Sequence, residues 1–82
     1  MHINSFDLRY NLVEFNFYVT HITDTTTCIL ELLINCSIEE FEENGLDRVI
    51  IVEDGKKSYV FVGYEVNEYY EEGEYVRVVC VK

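Results

Sequence analysis

The stretch Ser37-Ile38-Glu39-Glu40-Phe41-Glu42-Glu43-Asn44-Gly45 decides the fold, because it carries the one clear helix signal in the chain. Ser37 can accept from the first turn, Glu40 stands three residues on as the second half of a capping box, and Gly45 offers the left-handed residue that ends a helix. Everything on either side reads as strand. Leu12 to Thr20 alternates, with Val13, Phe15, Phe17 and Val19 on one face and Glu14, Asn16, Tyr18 and Thr20 on the other. Thr26 to Cys36 mixes helical and strand features; its β-branched residues and the alternation of Cys28, Leu30, Leu32, Ile34 and Cys36 favour a strand. Segments 12–20 and 27–36 are therefore expected to form an antiparallel hairpin, with His21 to Thr25 as its loop.

Beyond the helix, Arg48 to Glu53 is a β-branched run. Asp54-Gly55 reads as the centre of a type I′ turn, and Ser58 to Val66 is the returning strand. Asn67 to Gly73 reads as a polar connection, and Glu74 to Lys82 as the last strand. Residues 1–11 are ambiguous, with Phe6, Leu8 and Tyr10 alternating as a short edge strand would. The expected architecture is a single α+β domain, an antiparallel sheet of about five strands with one short helix, in the order β-β-α-β-β-β. Residues 49–52 and 59–64 are apolar on both faces, which an antiparallel sheet with one wet face would not be. One two-turn helix covers only part of one face. The rest must meet a second layer, curl onto itself, or meet another chain. A twisted sheet whose remaining apolar surface meets a partner or a twin chain is the preferred expectation.

Composition narrows the function. The chain has 82 residues, 49% of them apolar, so a folded core is expected although a chain this short hides only about two-thirds of its unfolded surface. No apolar run approaches the length of a membrane helix, and the N-terminal residues lack the basic-then-apolar order of a secretion signal. Sixteen Asp and Glu against six Lys and Arg give a net charge of −10, which disfavours direct contact with nucleic acid or anionic lipid and suits a basic partner, or merely keeps an apolar-rich domain in solution. Three cysteines without scaffold spacing point to a reducing compartment.

No motif for catalysis, metal or cofactor binding stands out. On one strand, Cys28 and Cys36 would lie about 26 Å apart, too far to share a metal or a disulfide, with Cys80 as further core filler. His2 and His21 lack neighbouring ligands. Gly55-Lys56-Lys57-Ser58 resembles the end of a phosphate loop, but Ile50 stands where that loop requires glycine. A small enzyme would need convergent titratable groups, and no candidate set is visible.

The carboxylates are the remaining signal. Twelve of the sixteen fall between Glu39 and Glu74. Glu39, Glu42 and Glu43 share the helix face opposite Ile38 and Phe41, while Glu65, Glu68, Glu71, Glu72 and Glu74 gather around the last connection. One reading is an ordinary solvated face; the other is a rigid array that occupies the Lys and Arg stripe of a nucleic-acid-binding protein. Tyr69 and Tyr70 would add contact area with few rotors. In size, in acidity, and in the Glu39–Glu43 helix and Glu65–Glu74 connection, the chain resembles small phage and prophage accessory proteins, including phage inhibitors of CRISPR nucleases, several of which imitate DNA. The resemblance implies a non-enzymatic inhibitor that binds the basic groove of a nucleic-acid enzyme, with Glu39, Glu42, Glu43, Glu68, Glu71 and Glu72 supplying charge and Tyr69 and Tyr70 packed area. The alternative is a self-associating accessory subunit of phage type, a homo-oligomer paired through its two-faced strands.

Overall fold

A computed structural model describes residues 1–82. It contains β1 (His2–Ser5), β2 (Leu8–Ile22), β3 (Thr25–Asn35), α1 (Ile38–Asn44), β4 (Val49–Asp54), β5 (Lys57–Val62), β6 (Glu65–Glu72) and β7 (Tyr75–Val81). The strands form one antiparallel sheet in the order β5-β4-β1-β2-β3-β7-β6. The expectation of about five strands is thereby corrected to seven. Two segments account for the difference. Residues 1–11 hold a complete tight hairpin, with β1 pairing Ser5 to Leu8, rather than one ragged edge strand. The expected strand Ser58 to Val66 breaks at Gly63-Tyr64, and Glu65 to Glu72, most of it read as the connection Asn67 to Gly73, is a separate strand paired along β7 from Glu65↔Val81 to Glu72↔Tyr75.

The sheet cannot be flat. Its two edge strands, β5 and β6, are joined only through Gly63-Tyr64. Val62 to Glu65 spans at most about 11 Å, whereas six strand spacings would hold the edges of a flat sheet about 29 Å apart. β5 lies three strands from β2, about 14 Å in a flat sheet, yet the rings of Phe15 and Tyr59 are 5.2 Å apart and those of Phe17 and Phe61 are 5.6 Å apart. The sheet therefore rolls on itself. Its concave face holds Ile3, Leu30, Leu32, Ile34, Ile50, Val52, Val76, Val78 and Cys80, each fully buried. The two-faced strands thus find their inner-face cover within the chain.

The roll hinges on β2. Its register with β3 slips between Leu12 and Glu14. The bulge switches the inward parity, so Tyr10 and Leu12 point in before it and Phe15 and Phe17 after it, while Val13 is left exposed. Val13 therefore does not share the face of Phe15 and Phe17, as simple alternation requires. α1 closes one end of the roll through Phe41, its buried residue, whose ring lies 6.2 Å from Tyr10 and 5.1 Å from Tyr69. The Ser37 hydroxyl accepts the Glu40 N–H at 3.1 Å, and the Gly45 N–H donates to the Phe41 carbonyl at 2.7 Å.

Every hairpin closes on two residues, and one of them differs in turn type from the sequence reading. The β4–β5 turn centres on Gly55-Lys56 rather than Asp54-Gly55, with Gly55 at φ 61° and Lys56 not positive, the pattern of type II′ rather than I′. The β2–β3 turn is only Thr23-Asp24, because β2 continues through Ile22. Its φ values of 45° and 58° follow type I′ without glycine or asparagine. A β-branched threonine in the left-handed region is strained by about 1–2 kcal/mol. Replacing the pair by Thr23→Asn with Asp24→Gly is expected to raise unfolding stability by about 1 kcal/mol, read as a higher urea midpoint at unchanged slope.

Candidate acidic interface

β6 is an edge strand with one neighbour, and all eight of its residues are exposed. Strand alternation sorts its side chains. Tyr70 and Glu72 pair with Arg77 and Tyr75 on the convex face, and Glu68 pairs there with Val79. Tyr69 and Glu71 pair with Val78 and Val76, on the concave side towards α1. The eight residues singled out from sequence thus do not form one flat surface. Glu68, Tyr70 and Glu72 lie on one flank of the β6 edge. Glu71 lies on the other, with Tyr69 leading to the helix and its Glu39, Glu42 and Glu43.

Tyr69 has a different role from the one expected. Its ring packs at a tilt against Phe41, and its hydroxyl donates to the Glu42 carboxylate at 2.8 Å. That bond, more than burial, raises the Tyr69 pKa above the ordinary phenol value. Tyr69 therefore clamps the acidic helix to the acidic strand. Tyr70, 48% exposed, is the free aromatic of the pair. Tyr64, also near this cluster in sequence, is core: it is buried against Phe17 and Phe61, with the Lys82 ammonium 5.7 Å from its ring.

The convex flank extends beyond β6, which the sequence reading missed. Arg77 on β7 donates to Glu72 at 2.6 Å and to Glu14 on β2 at 3.1 Å, and these two bonds, Glu72 first, raise its pKa. Asn16, Glu31, Val79 and Glu68 form the next row across β2, β3, β7 and β6, putting Glu31 and Glu68 about 10 Å apart. Nothing local marks Glu14 or Glu31 for this surface, because strand order alone brings them there. Glu31 accepts from the Tyr18 hydroxyl at 2.8 Å.

The charge is largely uncompensated. Arg77 is committed to Glu14 and Glu72, and Arg48 to Glu65. Glu31, Glu39, Glu42, Glu43, Glu68 and Glu71 have no cation within salt-bridge distance. Elsewhere, two shallow hollows flank Phe6. One, of about 260 Å³, is lined by Asn4, Phe6, Val49 and Ile51; the other, of about 310 Å³, includes Asp7 and Asp47. No group of three His, Cys, Asp or Glu side chains converges as a metal centre would need, and the three cysteines are free thiols. His2 engages Glu53 at 2.8 Å. No helix is long and apolar enough to cross a membrane. Searched against protein-family models, curated proteins and solved structures, the chain matches none of them.

Proposed function

We propose that the chain is a non-enzymatic, phage-type inhibitor that inserts the β6 edge and α1 into the basic groove of a nucleic-acid enzyme in the host cytoplasm, standing in for the phosphates the groove normally holds. One observation carries the reading: unpaired carboxylates line both flanks of a single exposed strand edge, and Tyr69 fixes the helical set to the strand set. A ridge with charge on both flanks complements a groove with basic walls, which a flat acidic face does not. Side chains two apart on one face of a strand recur at about 6.7 Å, so Glu68 and Glu72, with Tyr70 between them, stand about 13 Å apart at a spacing the strand fixes without further folding cost, Glu72 being held by Arg77.

The test is a pull-down from the host cell, washed across a salt series. A nucleic-acid enzyme retained at low salt and released as salt rises is the expected result. The triple variant Glu39→Lys, Glu42→Lys, Glu43→Lys should weaken capture at least tenfold, since each charge-assisted contact is worth about 1.5 kcal/mol or more. Equal affinity of wild type and variant at both low and high salt overturns the reading.

A further inference from the structure

The two edges of the sheet are built differently. β6 carries the carboxylates and a register slip between Val66 and Glu68, both of which discourage pairing with another strand. β5 has neither protection. Its register with β4 is unbroken from Asp54↔Lys57 to Val49↔Val62, there is no proline, and Ser58 to Val62 carries no charge. Because the hairpin closes on two residues, Asp54 and Lys57 form a hydrogen-bonded pair, and alternation turns the backbone groups of Lys57, Tyr59 and Phe61 towards β4. The Gly63 N–H, bonded to the Arg48 carbonyl at 2.8 Å, keeps the same parity. The N–H and C=O groups of Ser58, Val60 and Val62 then point away from the sheet. Val60 and Val62, 60% and 54% exposed, flank this open edge.

We propose that β5 is a pairing edge whose occupant is β5 of a second copy of this chain, antiparallel about a two-fold axis at Val60. The outward groups are self-complementary in that register: Val60 faces Val60 of the second copy, and Ser58 faces its Val62, so the three outward N–H and three outward C=O groups all find partners. Charge favours the same arrangement. Lys56 and Lys57 have no carboxylate partner in their own chain. The two-fold register brings them to the Gly63–Glu65 end of the other copy, where they can share Glu65 with its Arg48. Contact is made along five uncharged residues, so two chains of charge −10 approach through a segment that adds no repulsion. Its backbone contacts lie on β5, and the β6 residue it reaches, Glu65, is not one the inhibitor surface uses, so it stands or falls apart from the inhibitor reading.

Sedimentation equilibrium of the full chain tests it. Wild type should approach twice the 9.7 kDa chain mass as concentration rises into the millimolar range. Val60→Lys, which sets like charges against each other on the axis, should raise the dissociation constant at least about tenfold. Ser58→Pro, which deletes an outward N–H and leaves the β4 ladder intact, should do the same and serves if the lysine variant fails to fold. Glu68→Lys, an equal change of sign on the other edge, should leave the dimer in place. A wild-type mass of 9.7 kDa throughout overturns the proposal. So does a dimer that survives the β5 variants, or one that Glu68→Lys dissolves.

Discussion

Phe41→Ala is expected to lower unfolding stability by about 3–5 kcal/mol. The ring is 3% exposed and sits between Tyr10 and Tyr69, so its removal leaves a cavity bounded by two large aromatics that cannot both collapse into it. A second loss adds to the cavity. α1 has seven residues, too few to persist without tertiary contacts, and Phe41 is its buried anchor. Once the anchor is gone, the helix end frays and the Tyr69–Glu42 bond loses its support. A chain of this size has only about 5–10 kcal/mol in reserve, so the variant should sit near the edge of folding, its urea midpoint lower by roughly 2 M. Phe41→Leu, which keeps most of the volume, should cost about 1.5 kcal/mol. A loss below 1 kcal/mol for the alanine variant would mean that the helix does not seat where the structure places it.

The same anchor shows how far the sequence can be read. The helix was legible because its signals are local: a capping serine, a left-handed glycine and one apolar stripe within nine residues. The pairing of β2 with β3 was legible from alternation. What alternation could not carry was its own interruption. The slip between Leu12 and Glu14 moves the inward face from Leu12 to Phe15, so Val13, apolar and in phase with Phe15, is nonetheless outside. β6 was hidden for a different reason. An edge strand with every residue exposed has no apolar alternation to display, and Glu65 to Glu72 takes its conformation from β7 rather than from its own composition. Closure of the sheet is a property of strand order, and strand order is set by pairings as distant as His2 with Glu53. The two-faced character of residues 49–52 and 59–64 did signal that both faces needed cover. It did not say that Phe15 and Phe17 would supply it for the inner one. The candidate interface follows the same division. The glutamates of α1 and β6 could be named from local charge, whereas Glu14 and Glu31 joined them through register, and Tyr69 became a clamp because the strand turned it inward.

Ser5→Ala is expected to cost about 2 kcal/mol, a large loss for the removal of one oxygen. Ser5 is 1% exposed and is the buried polar residue of the core. Its hydroxyl donates to the Val49 carbonyl at 3.1 Å and accepts the Asp47 N–H at 2.7 Å. The β1–β4 ladder ends at Asn4↔Ile51, so the side chain of Ser5 supplies the next rung in place of a backbone group. Alanine fits the space but leaves an acceptor and a donor without partners, and the penalty for stranded buried groups exceeds the net worth of the bonds themselves. The loss should be local before it is global. Asp47 belongs to the link between α1 and β4, and the Tyr10 hydroxyl holds the start of that link through the Gly45 carbonyl at 2.8 Å. In Ser5→Ala, hydrogen exchange at the Asp47 amide should accelerate by at least tenfold while Ile50 and Val52 stay slow. Because the link sets where α1 sits against Tyr69, the variant should also loosen the acidic helix without altering any of its carboxylates. Unchanged exchange at Asp47 would show that Ser5 is only filling space.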